Sequence, residues 1–207
     1  MIDIKNAYAI KNNHYIFKDI CLNSNAKTIA ISGANGVGKS TFLLQFMGIN
    51  TKADKFCVMN EDLLKNANIK DFALVYQDAK SSINPLFDIG RLMLFLARDK
   101  NISNVKEKTL NLCEQFKLKD IWHSYSHELS IGEAKKTSLI FALIKEPKLL
   151  ILDELTAGLD EASVKIILDF LKKLDINMIF SSHDLRFLDI CDELYEFNKA
   201  GLNVIRN

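Results

Sequence analysis

Prolines are scarce, two in 207 residues, and no stretch is rich in glycine and serine, which excludes a flexible linker between separately folded units. The four cysteines (Cys21, Cys57, Cys113 and Cys191) are scattered and never spaced as CxxC, so they read as free buried thiols of a reducing compartment. Neither charge sign dominates. A net charge of +1 gives no electrostatic case for nucleic acid as a partner. No apolar run approaches the roughly 20 residues that span a bilayer, and Met1-Ile2-Asp3-Ile4-Lys5 is too polar to open a signal peptide. A cytoplasmic chain is expected, one that can still dock on a membrane protein.

What is present suits one soluble core: 48% hydrophobic and 26% charged residues in a chain long enough to bury a substantial interior. Short β segments open it: Ile2 to Tyr8, Tyr15 to Phe17, Ile20 to Leu22 and Lys27 to Ile31. Further apolar runs follow at Phe56 to Met59, Phe72 to Tyr76, Leu149 to Leu152 and Asn177 to Phe180. Continuous apolar runs alternating with helical segments predict the buried parallel strands of an α/β sheet. Between about Ile89 and Ile144 the period turns helical, with Leu92, Leu94, Phe95 and Leu96 in one segment. Val105, Leu110, Leu112 and Phe116 form a second, and Leu139, Ile140, Leu143 and Ile144 a third. A helical insertion over roughly residues 84–146 within one domain of residues 1–207 is expected. The last segments, Leu194 to Phe197 and Gly201 to Ile205, predict a closing hairpin.

Gly33-Ala34-Asn35-Gly36-Val37-Gly38-Lys39-Ser40 matches GxxxxGK[ST], with a strand-like run before it and the helical run from Thr41 after it. Glycines let successive backbone N–H groups converge on phosphate oxygens, and the helix N-terminus adds partial positive charge. Lys39 is placed to reach the β- and γ-phosphates, and the Ser40 hydroxyl to ligate Mg²⁺. The chain is expected to bind a nucleoside triphosphate.

Leu149-Leu150-Ile151-Leu152-Asp153-Glu154 is an apolar strand ending in two carboxylates. A buried parallel strand delivers its last side chains to the sheet edge where the phosphate loop lies. There Asp153 is expected to hold Mg²⁺ with Ser40, and Glu154 to activate the water that attacks the γ-phosphate. Met178 to Asp184 repeats the design, and His183 is expected to hold the γ-phosphate and that water against Glu154. His14, His123 and His127 read as structural.

In this order the residues resemble the ATP-binding subunits of ABC transporters, over essentially the full chain. The resemblance implies a P-loop NTPase core of mainly parallel sheet, an antiparallel β part near the N-terminus and a helical insertion. The glycine loop, with Thr41, is similar to the Walker A motif, and Leu149 to Glu154 to Walker B. Gln77 resembles the Q-loop glutamine, which touches Mg²⁺ and the water. Leu129-Ser130-Ile131-Gly132-Glu133 stands where the family has LSGGQ, Asp160 resembles the D-loop aspartate, and His183 the switch histidine. Family members stack adenine on an upstream aromatic ring; Tyr8 and Tyr15 are the candidates, with Tyr8 slightly favoured.

The signature departs from its pattern at two of five positions. Ser130, Gly132 and Glu133 would be donated to the partner's nucleotide. Ile131 adds bulk and restricts φ where backbone must approach phosphate, and Glu133 brings negative charge towards a nucleotide. The expectation is a heterodimer with a second ATPase subunit, one site competent and one weakened. Gln77 to Pro85 and His127 to Ser130 resemble segments of peptide and nickel importer ATPases, which implies permease subunits as partners and a solute-binding protein at one remove. A soluble ABC-type ATPase working on nucleic-acid or protein complexes is the alternative.

Overall fold

Alternate residues of one strand feed two different cores. In the computed structural model, which describes residues 1–65, 68–98, 102–198 and 201–206, Leu150 and Leu152 face one apolar cluster while Leu149 and Ile151 face another. A strand buried on both faces is what the unbroken apolar run requires.

In chain order the elements are β1 (Ile2–Lys11), β2 (His14–Ser24), β3 (Thr28–Ser32), α1 (Lys39–Gln45), β4 (Lys55–Val58), β5 (Glu61–Asp62) and β6 (Phe72–Val75). Four helices follow: α2 (Ala79–Ser82), α3 (Ile89–Arg98), α4 (Val105–Gln115) and α5 (Ile131–Ile144). Then come β7 (Leu149–Asp153), α6 (Glu161–Leu171), β8 (Asn177–Ser181), α7 (Leu185–Leu188) and the hairpin of β9 (Glu193–Asn198) with β10 (Gly201–Arg206). The main sheet runs β10-β9-β3-β8-β7-β6, parallel except for β10. An antiparallel sheet, β2-β1-β4-β5, packs over α1. The α/β fold with its antiparallel N-terminal part is the one the sequence implies.

The two short segments expected at Tyr15 and Ile20 are one strand. β1 and β2 pair along their length, with irregular register around Asn6 and Asp19, whose φ values are 51° and 57°. Asparagine and aspartate tolerate this left-handed backbone, so such bulges bend a hairpin without ending it. Asn12 and Asn13, both with positive φ, form its two-residue turn. Phe17, Phe42, Phe46, Phe56 and Phe197 then interlock edge to face, Phe17 to Phe197 at 5.3 Å and Phe46 to Phe56 at 5.1 Å. This aromatic cluster ties α1 to both sheets.

In α3 the buried stripe is Ile89, Met93 and Ala97, with Gly90 against the Trp122 indole. Leu94 and Phe95 of the same apolar segment are exposed. The apolar run Leu92 to Leu96 covers too much of the helix circumference to show from sequence which side is inward.

Candidate nucleotide site

The phosphate loop leaves β3 under tight constraint. Gly33 has φ 138°, and a Cβ there would lie 2.2 Å from the Phe197 carbonyl oxygen. Gly38, at φ 113°, precedes α1, and a Cβ there would lie 2.8 Å from Phe17 Cδ1 and 2.9 Å from Ile16 Cγ2. Only glycine fits either position. Helix α1 has no acidic residue in its first turn and no side-chain cap, so its leading N–H groups suit an anion. Lys39 Nζ donates to Gly33 O (2.7 Å) and Ala34 O (3.1 Å), which holds the ammonium at the loop. Asn35 and Gly36 are exposed, and Val37, Ser40 and Thr41 half-buried.

Strands β7 and β8 bring the remaining groups to the same edge. Asp153 is in register with Ser181, whose hydroxyl donates to Asp153 Oδ1 (2.7 Å) and accepts from the Glu154 N–H (3.1 Å). This hydroxyl, not anticipated from the sequence, fixes both acids. Glu154 then turns sharply at φ 48°, and its Oε1 reaches within 3.3 Å of His183 Nε2 and 3.7 Å of Lys39 Nζ. His183 Nε2 is in turn 3.1 Å from Lys39 Nζ. A cation, a carboxylate and an imidazole from three separate strand ends therefore meet at one point. The oxygens offered beside them, the Asp153 carboxylate and the Ser40 hydroxyl, are the sparse hard donor set that suits Mg²⁺ shared with phosphates and water.

The other expected residues are placed by neighbouring elements. Gln77 is exposed, two positions beyond the end of β6. Asp78 caps α2, accepting from the Ser81 N–H, and Lys80 of that helix donates to Leu129 O (2.7 Å), just before Ser130. Asp160 caps α6 by accepting from the Ser163 N–H (2.9 Å), which holds its carboxyl below the usual range. Gly132 faces Leu159, where an added Cβ would lie 3.6 Å from Cδ2.

One expectation needs revision. Glu133 points its carboxylate back at Ser130, accepting from the Ser130 N–H (2.9 Å) and hydroxyl (2.7 Å), while the Glu133 N–H donates to Ser130 Oγ (3.2 Å). This capping box keeps Glu133 ionised and occupied within its own helix, rather than aimed outward. The Tyr8 carbonyl accepts from Gln45 Nε2 (2.8 Å), and the Tyr8 ring meets the Tyr15 ring edge to face with centroids 6.0 Å apart. The β2 residues that touch the loop are Ile16 and Phe17, and exposed Tyr15 adjoins them.

The model of the ABC transporter family matches residues 19–157, most of the chain. The protein belongs to that family. It is 34% identical over 188 residues to the metal-staphylopine import system ATP-binding protein CntF of Staphylococcus aureus, a match covering 84% of this chain and 75% of that one. It is 28% identical over 205 residues to a putative ABC transporter ATP-binding protein of Clostridium perfringens, covering 91% of this chain and 70% of that one. Among solved structures, the dimeric ATP-binding cassette MJ0796 bound to ADP and Pi superposes over the full length of both chains, with a TM-score of 0.85 at 20% identity. That likeness shows the fold. The chain is an ABC transporter ATPase subunit that binds ATP. Relatives include an energy-coupling factor transporter protein and a lipoprotein-releasing system protein, so cargo differs widely among them. No helix among the described residues is long and apolar enough to cross a membrane.

Proposed function

We propose that this ABC ATPase powers an importer of peptides, nickel or metal chelates, from the inner face of a membrane and paired with a second ATPase subunit. The observation that carries its chemistry is the meeting of Lys39, Glu154 and His183 within 4 Å at the end of the phosphate loop. Loop N–H groups and Lys39 bind the phosphates. Ser40 and Asp153 would hold Mg²⁺, with Gln77 beyond the end of β6 as a further contact, and the bound ion would supply charge neutralisation at the phosphate oxygens. Glu154 accepts a proton as the water oxygen attacks the γ-phosphorus, and the bond to the β–γ bridging oxygen breaks to give ADP and phosphate. His183 holds the water and γ-phosphate in line. Tyr8 and Tyr15, whose rings meet edge to face, are the pair that offers adenine a stacking surface, with Tyr15 the more exposed ring.

Transport work is supported by a groove of about 320 Å³ between the sheet edge and α3, lined by Leu74, Tyr76, Ile83, Leu92, Phe95 and Phe141. Phe95 is 71% exposed on its rim. An apolar groove ending at the Gln77 segment suits a short helix of a permease subunit, with a solute-binding protein one step further out. The importer assignment rests on the Gln77 to Pro85 segment together with the likeness to CntF.

The test is the solution mass of purified Glu154→Gln with and without ATP and Mg²⁺. The change slows hydrolysis and traps a closed dimer. A chain that binds ATP and stays monomeric supports a different partner subunit. An ATP-dependent homodimer overturns the heterodimer part of the proposal.

A further inference from the structure

Lys135 is a buried lysine that the nucleotide chemistry does not use. It lies on α5, two residues past Glu133 of the capping box, and is 4% exposed. Lysine is rarely buried so deeply without partners. Its Nζ donates to two main-chain oxygens, Glu154 O (3.1 Å) and Ala157 O (2.5 Å). Those carbonyls bound a turn closed by the Ala157 N–H donating to Glu154 O (3.1 Å). Glu154 opens the turn at φ 48°, a left-handed backbone that a glutamate keeps only where its surroundings enforce it.

We propose that Lys135 is a positioning residue for Glu154, its ammonium stapling the Glu154–Ala157 turn so that the carboxylate stays beside Lys39 and His183. The proposal rests on the reading of Glu154 as the group that receives the water proton. The surroundings agree with a charged staple. Burial pulls the Lys135 ammonium below its usual range, while Glu154, Asp153 and Asp78 oppose that and favour the charge. Because Ser130 caps α5, the same bonds join the signature helix to the turn that carries the base. The two therefore move as one body.

The experiment compares Lys135→Met, Lys135→Arg, Glu154→Gln and the double variant Lys135→Met/Glu154→Gln, each in the full chain with its companion subunit where closure requires one. Lys135→Met keeps the volume and removes the donor. Its kcat is expected to fall by about 10²-fold, the scale of an ångström-level misplacement, with KM and ATP affinity changed less than about twofold. Lys135→Arg should restore part of kcat, and the double variant should be no slower than Glu154→Gln beyond about twofold. Amide hydrogen exchange at Ala157 should rise in Lys135→Met, a readout independent of turnover. Additive losses in the double variant, or unchanged exchange at Ala157, would overturn the positioning role. If Glu154→Gln slows turnover and Lys135→Met does not, the staple alone falls. If Glu154→Gln has no effect, the reading of Glu154 falls first and takes the staple with it.

Discussion

Lys39 Nζ stands 3.7 Å from Glu154 Oε1, a buried cation from the phosphate loop facing a buried carboxylate from the end of β7. Both are also within 3.3 Å of His183 Nε2. The ammonium is already held at the loop by two carbonyl oxygens, so it needs little rearrangement to meet a phosphate. Lys39→Met removes a charge-assisted contact of about 1.5–3 kcal/mol. ATP affinity should drop roughly tenfold to a hundredfold by that estimate, measured by titration calorimetry. Unchanged affinity would remove Lys39 from the phosphate contacts.

Gly33 and Gly36 both have positive φ but differ in their surroundings. An added methyl at Gly33 meets the Phe197 carbonyl at 2.2 Å, whereas at Gly36 nothing lies within 4 Å. Gly36→Ala should therefore cost only the left-handed backbone penalty, about 1–2 kcal/mol. Gly33→Ala must also push β9 away from β3 and should cost more, about 3 kcal/mol or above. Urea denaturation of the two variants checks the order. Equal losses would mean that the contact with Phe197 is easily relieved.

The residues whose types are forced by local chemistry were legible in the sequence. Gly33 and Gly38 must be glycine because of backbone conformation and crowding, and an apolar strand ending in Asp153 and Glu154 delivers acids to one edge without help from distant residues. Ser130 and Glu133 also carried a local signal, the S-x-x-E spacing of a capping box, and that spacing outweighs the charge argument made for Glu133. What stayed hidden depends on tertiary placement. The inward side of α3 could not be phased from a run of consecutive apolar residues. Tyr8 and Tyr15 look like independent strand aromatics until the pairing of β1 with β2 brings their rings edge to face at 6.0 Å. Ser181 and Lys135 act through partners far along the chain, and no spacing announces such pairs.

The Glu133 capping box gives a stability that depends on pH in a known direction. Hydrogen bonds from the Ser130 N–H and hydroxyl hold the Glu133 carboxyl below its ordinary value of 4.5. A folded-state value below the unfolded one adds stability above the unfolded pKa, and that stability is lost as pH falls through the folded pKa. Glu133→Ala should thus destabilise the protein by about 1 kcal/mol at neutral pH, the scale of a helix cap, and the difference from wild type should shrink below about pH 4.5. Glu133→Gln keeps the acceptor without the charge and should lose less. Urea melts at pH 7 and pH 4 decide it; a difference that does not change with pH would mean that the carboxylate charge is not what caps the helix.

Ile131 remains as the departure that the capping box does not absorb. It is the first residue of α5 and 64% exposed, so its side chain projects from the helix end beside Ser130 instead of packing inward. A glycine there would let the backbone approach an anion closely, while the isoleucine holds any phosphate off by the depth of its side chain. Glu133 is already bonded to Ser130, so in the proposed pairing the weakened donation of this signature rests on Ile131. In the Glu154→Gln background, Ile131→Gly should convert a chain that binds ATP as a monomer into one that dimerises with ATP and Mg²⁺. Its own stability should change by no more than about 1 kcal/mol, the cost of glycine in a helix. Light scattering of the two variants at equal concentration reads the difference. A monomer in both would show that something other than Ile131 prevents the pairing of identical chains, and a dimer in both would show that Ile131 never prevented it.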